Sequence, residues 1–150
     1  MSKLAMGAVI VGTLFAASTA NAADLERVSI SLGSRHIGKP NTLNETNPGV
    51  FFTWGDVIGP IDITAGAYVN SYSNTSATLT ASYDFLAWDD GALGAFAGVA
   101  FYPEHGERAL PCCGGFVPMG GLQARQGNLF VQVVPTRSVV VTFGLTFEME

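Results

Sequence analysis

From Arg27 onward apolar and polar residues take turns along the chain, and the period is two. Val139, Val141, Phe143, Leu145 and Phe147 fall on one face, with Val140, Thr142, Gly144 and Thr146 on the other. Ala77, Leu79, Ala81, Tyr83 and Phe85 oppose Ser76, Thr78, Thr80, Ser82 and Asp84 in the same way. Residues 61–70 set Ile61, Ile63, Ala65, Ala67 and Val69 against Asp62, Thr64, Gly66, Tyr68 and Asn70. Near the start, Val28, Ile30 and Leu32 alternate with Ser29, Ser31 and Gly33. Such alternation is the mark of strands with two unlike faces, and helical periodicity is almost missing. Eight strands are predicted, at 26–34, 48–54, 59–70, 75–85, 92–102, 115–123, 128–135 and 138–147. Turn chemistry separates them at Asn47-Pro48-Gly49, Gly55-Asp56, Asp89-Asp90-Gly91, Cys113-Gly114-Gly115 and Gln126-Gly127.

The polar faces consist of Gly, Ser and Thr with an occasional Asp or Asn. A soluble sandwich or lipocalin-like barrel, the alternative, keeps its apolar face inside and charges outside. Small uncharged residues suit instead the filled interior of a narrow eight-stranded barrel, with the apolar face turned to lipid. The expected fold is therefore all-β, an eight-stranded antiparallel up-and-down β-barrel of outer-membrane type.

Composition narrows the field. Of 150 residues, 48% are hydrophobic and 13% charged, about half the usual charged share of roughly 25%. That excludes a disordered chain or a coiled coil. A net charge of −5 leaves no electrostatic footprint for nucleic acid. Residues 1–22 carry Lys3, an apolar stretch from Leu4 to Ala17, and the small-x-small site Ala20-Asn21-Ala22. This is the form of a secretory signal; the alternative, an anchor, falls short of the ~20 apolar residues a spanning helix needs. The expected mature chain is then one domain, 23–150, with a charge of −6 once Lys3 is gone.

With the mature N-terminus in the periplasm, odd strands run outward. Turns are expected near 55–58, 86–91 and 124–127, and outer loops near 35–47, 71–74, 103–114 and 136–137. His36 and Asn70-Ser71 then reach one outer rim, with a single strand between them. A His beside a Ser is a nucleophile–base pair for acyl transfer. Strict extension would leave His36 on the apolar face of Leu32, so a bend near Ser34 or Arg35 is required. Glu45 either joins this rim as an orienting acid or caps the loop. Cys112-Cys113 lies in a Pro- and Gly-bounded loop beside His105; ligand spacing there is poor, and no metal and no cofactor are expected.

The order of these landmarks resembles the PagP-type lipid A palmitoyltransferases of the outer membrane. That family closes its first strand with a His and enters its second through an Asn-Glu-Arg-Pro-type segment, similar to His36 and Asn44-Glu45-Thr46-Asn47-Pro48-Gly49. It ends its third strand with Ala-x-x-x-Asp-Ser, where Ala67-Tyr68-Val69-Asn70-Ser71 stands here. Phe96-Ala97-Gly98-Val99, Leu110-Pro111, Pro118, Pro135 and the closing strand Val139–Phe147 follow in the family's order. The pieces are short and gapped; their collinearity over the mature chain carries the likeness.

The resemblance implies an outer-membrane acyltransferase that moves a palmitoyl-like chain from a phospholipid to lipid A or another lipid hydroxyl. It implies His36, Asn70 and Ser71 as the catalytic set, Pro118 and Pro135 as breaks in the ladder through which lipid enters, and membrane lipids as the partners of a monomer. Gly66, Ser82, Gly94 and Gly98 are the small residues expected to leave room for the acyl chain. Two departures favour an alternative, a non-catalytic barrel with a structural, lipid-binding or loop-mediated role. The family's Asp is Asn70, which orients a His without stabilising its charge, and no N-terminal amphipathic helix precedes the first strand.

Overall fold

A computed structural model of the protein describes residues 23–38, 43–104, 113–136 and 138–150. The expected signal, residues 1–22, lies outside the described residues, as do His105, Leu110, Pro111 and Cys112. The described chain forms β1 (Leu25–Ile37), β2 (Gly49–Ile58), β3 (Ile61–Val69), β4 (Thr75–Trp88), β5 (Gly91–Phe101), β6 (Phe116–Gln126), β7 (Leu129–Pro135) and β8 (Val139–Glu148). Each strand pairs antiparallel with the next, and β8 returns to β1 to close an eight-stranded up-and-down barrel. Closure gives every strand a neighbour on both sides, so no free edge strand is left as in an open sheet.

The alternation sorts the side chains as its period requires. Leu32, Leu79, Phe85, Leu122, Leu129 and Phe143 project outward and are exposed. Ser29, Ser31, Thr53, Thr64, Thr80, Ser82 and Thr142 project into the lumen with Phe51, Phe96 and Phe130. Hydroxyls pair across strands inside: Thr53 with Thr64 at 2.8 Å, and Ser29 donating to Thr146 at 2.9 Å. One end of the lumen is closed by charge. Arg27 is 4% exposed and donates to Asp62 at 2.6 Å and to Glu26. Arg125 pairs with Asp84, which also accepts from Gln123 at 3.4 Å.

Three hairpins at that end are two residues long: Gly59-Pro60 between paired Ile58 and Ile61, Asp89-Asp90 between Trp88 and Gly91, and Gly127-Asn128 between Gln126 and Leu129. Gly59 at φ 58° and Gly127 at φ 53° supply the left-handed first position that tight hairpins favour. This corrects the expected turn at Gly55-Asp56, which lies inside β2. Asp56 takes φ 50° and the register slips between Trp54 and Ile58, so that pair forms an irregularity and the chain reverses four residues later. Pro60, with no N–H to give a ladder, belongs in that reversal rather than in β3.

A second irregularity decides where His36 points. Against β8, Ser31 opposes Gly144 while Gly33 opposes Phe143, so Leu32 is an extra residue. A bulge of this kind shifts every later side chain to the other face. Leu32 stays outside at 51% exposure, and Ser34 and His36 turn inward, with the His36 side chain 6% exposed. The bend expected near Ser34 or Arg35 therefore sits at Leu32.

Candidate functional site

The end of the barrel opposite the charged floor gathers the last turn of β1, the segment entering β2 and the β3–β4 turn. Residues 44–48 run between β1 and β3 and are tied to both. Ser34 N–H donates to the Glu45 carbonyl, Asn44 N–H to the Ser71 carbonyl, and Val69 N–H to the Pro48 carbonyl, each at 2.9 Å. Asn47 bridges the two strands with its side chain: Oδ1 accepts from Ser34 Oγ at 2.5 Å and Nδ2 donates to the Val69 carbonyl at 2.9 Å. The close approach needs Gly33, because a Cβ there would stand 2.8 Å from the Glu45 carbonyl oxygen.

This stitching brings His36 and Ser71 together. His36 Nε2 lies 3.0 Å from Ser71 Oγ. Behind the ring, Glu45 Oε1 accepts the His36 backbone N–H at 3.0 Å and stands 3.9 Å from Nδ1, while Oε2 accepts from Arg35 at 2.9 Å. The His36 N–H bond first, and the Arg35 charge after it, hold the Glu45 carboxyl below its usual pKa.

Asn70 has a different occupation. It is 1% exposed, its Oδ1 accepts the N–H of Tyr72 at 2.8 Å and of Asn74 at 3.2 Å, and its Nδ2 donates to Ser76 Oγ at 2.8 Å. These are the bonds of an Asx-type turn. They hold the β3–β4 reversal, in which Ser73 takes φ 63°, and so set the place of Ser71 next in the chain. The expected contact of Asn70 with His36 is replaced by this role in the turn.

Ser71 opens onto a cavity of about 200 Å³ inside the barrel, bounded near the rim by Ser34, Asn47, Tyr68, Tyr102 and Thr136 and at the floor by Arg27 and Arg125. Ser82 lines it. Gly66, Gly94 and Gly98 do not: their missing side chains make room for Phe51, for Asp84 and, at Gly98, for the Leu79 carbonyl and Thr80. They serve the packing of the lumen.

The seam between β6 and β7 is shorter than its strands. The two pair from Leu122↔Val133 down to Gln126↔Leu129, although β6 pairs with β5 as far as Phe116 and β7 with β8 as far as Pro135. Among the described residues, 116–121 of β6 and 134–135 of β7 have no partner across it. Pro118 and Pro135 lie one on each side of this unpaired stretch. Pro118, Val134 and Thr136 also border the cavity.

The aromatic cluster beside Ser71 carries no signal in the sequence beyond parity: Tyr68 shares the lumen face of Thr64, and its hydroxyl donates to that of Tyr102 at 3.3 Å. Cys113 is disulfide-bonded. Among the described residues no cluster of His, Cys, Asp and Glu could hold a metal ion. No protein-family model and no curated protein matches the chain.

Proposed function

We propose that this barrel resides in an outer membrane and transfers an acyl chain from a phospholipid to a lipid hydroxyl, lipid A among the acceptors. The observation that carries the reading is the 3.0 Å contact of His36 Nε2 with Ser71 Oγ at the mouth of an internal cavity. An inward-facing imidazole within hydrogen-bond reach of a serine is what nucleophilic catalysis requires. The exterior supports the setting, since Leu79, Val99, Leu122, Val131 and Phe143 form exposed mid-strand positions that suit lipid. The unpaired β6–β7 stretch with Pro118 and Pro135 at its borders is the lateral route for the chain.

In this mechanism Ser71 Oγ attacks the ester carbonyl of the donor while its proton passes to His36 Nε2. The C–O bond to the glycerol breaks, and the leaving alkoxide takes that proton, giving a lysophospholipid and an acyl-serine. The acceptor hydroxyl then gives its proton to His36 and attacks the acyl carbonyl, and Ser71 leaves with the proton restored. Asn70 acts in this scheme through the turn that holds Ser71.

The test is expression in an envelope with simple lipid A, reading lipid masses. Wild type is expected to add one acyl group to lipid A or to phosphatidylglycerol, and Ser71→Ala and His36→Ala to abolish the gain while the barrel still migrates differently before and after boiling. The commitment of the Asn70 amide to its turn favours a second reading, a non-catalytic barrel. Absence of any acyl gain with the wild-type protein would establish that reading over the first.

A further inference from the structure

We infer that Glu45 is the positioning acid of His36, completing a serine–histidine–glutamate relay whose acid comes from the segment entering β2. The inference rests on the reading of Ser71 and His36 as an acyl-transfer pair. Three observations carry it. The carboxylate is on the correct side of the ring: Nε2 faces Ser71 at 3.0 Å, and Oε1 of Glu45 stands 3.9 Å from Nδ1. It is also held there, because Oε1 accepts the backbone N–H of His36 itself, Oε2 accepts from Arg35, and the Glu45 carbonyl accepts from Ser34 N–H. Finally, the competing candidate is engaged, since the Asn70 side chain bonds to its own turn through Oδ1 and to Ser76 at the start of β4 through Nδ2.

The separation of 3.9 Å is ion-pair range and longer than a hydrogen bond. Catalytic contacts of this kind are often long without substrate and tighten as it binds. When Ser71 gives its proton to Nε2, the ring becomes an imidazolium that keeps its proton on Nδ1. Glu45 stays ionised throughout and stabilises that charge, and in the resting state it favours the tautomer with Nε2 free to accept. Around the ring, the segment entering β2 contributes Glu45, which Arg35 of β1 holds from its far side, the β3–β4 turn contributes Ser71, and β8 opposes His36 with Val140. Among the described residues, Glu45 is thus the anion that faces this imidazole, and Arg35 is the cation bound to Glu45.

Glu45 also caps the chain at His36, so the test must separate its charge from its shape. Glu45→Gln does so: an amide oxygen still accepts the His36 N–H, but the charge is gone. The refolded full-length barrel in detergent micelles is compared as wild type, Glu45→Gln and Glu45→Asp. Two readouts are taken: the imidazole nitrogen resonances of His36 across pH, and the rate at which a fluorophosphonate with an alkyl chain labels Ser71. In Glu45→Gln the pH profile of the His36 nitrogen resonances is expected to move to lower pH, and Ser71 labelling to fall by about a hundredfold or more. Glu45→Asp should restore part of both, and all three proteins should keep their heat-dependent gel mobility. Unchanged His36 resonances in Glu45→Gln overturn the inference, and so does a shifted titration with an unchanged labelling rate. If Ser71 is not labelled even in wild type, the acyl-transfer reading fails, and with it the positioning role, even where the titration shows Glu45 and His36 coupled. Should Glu45→Gln not fold, Glu45→Asp decides the matter: labelling and titration both like wild type despite the retracted carboxylate would overturn the inference.

Discussion

Replacing Asn70 by Ala removes one acceptor shared by two backbone N–H groups and one donor to a buried hydroxyl. A polar group left without a partner costs about 1–3 kcal/mol when sealed from water. Tyr72 and Asn74 are partly exposed, so water repairs some of the loss, whereas Ser76, at 1% exposure, has no such access. Taking the lower part of the range for each of the three groups gives a destabilisation of about 2–4 kcal/mol for Asn70→Ala. The isosteric Asn70→Asp keeps both N–H contacts, and the Ser76 hydroxyl can turn to donate, so its cost is expected to stay within about 1 kcal/mol. The assay is urea unfolding of the refolded barrel followed by tryptophan fluorescence and by gel mobility, with equal slopes in all three proteins, so that midpoints report stability. An Asn70→Ala protein as stable as wild type but inert toward the Ser71 probe would refute the argument, because Asn70 would then act on the chemistry and not through the turn.

The remaining predictions concern the wall, the floor and the rim. With lipid against the outer face, Leu79→Arg should cost about 2–4 kcal/mol in vesicles, and Thr78→Arg should impair folding through crowding of the lumen; full tolerance of Leu79→Arg would invert the faces. Asp84→Leu leaves Arg125 without its carboxylate and should destabilise by about 1–3 kcal/mol, less than for a fully buried pair, since each side chain keeps about a fifth of its surface. The double variant Asp84→Leu with Arg125→Met should regain most of that loss, as measured by the same unfolding midpoints. Because the Glu45 pKa is depressed in the folded barrel, its contribution is fully present above the ordinary value of 4.5 and is lost as pH falls through the lowered one. Protection of the His36 amide, bonded to Glu45 Oε1 and measured against its intrinsic exchange rate at each pH, should fall in that acid window and lose the dependence in Glu45→Gln.

The barrel was legible because period two is a strong signal wherever the two faces differ in kind. Leu79 against Thr80 or Phe143 against Thr142 fixes each strand's facing without help from the rest of the chain. The interior charges were legible in the same way, for parity puts Arg27 with Ser29, Asp62 with Thr64 and Asp84 with Ser82. What parity cannot provide is the place where it breaks. The bulge at Leu32 and the irregularity at Asp56 depend on the strand opposite, since an extra residue is defined only by a partner that lacks one. Gly55-Asp56 has ordinary turn chemistry, and only the ladder beyond it, resuming at Ile58↔Ile61, shows that the strand continues.

The same limit governs the site. His36 and Ser71 reach one rim by strand order alone, but His36 faces inward only because Leu32 is surplus. Asn70 precedes Ser71 in the chain, which makes it the natural partner of His36 on paper, yet a residue next to Ser71 in a tight turn is also the residue best placed to close that turn. Its amide meets three groups within six residues of sequence, and local bonds of this sort form at little entropic cost. Glu45 reaches His36 from nine residues away, across a segment held by Gly33, Asn47 and the Ser71 carbonyl. Its contact has to be assembled by the closed barrel, so the sequence offers Glu45 as an orienting acid or a loop cap without deciding between them. On the acyl-transfer reading, a carboxylate brought by tertiary structure, with an amide kept for the turn, would divide between two residues the work of orienting the base and placing the nucleophile. The barrel can therefore carry Asn at position 70 and still present His36 with an acid.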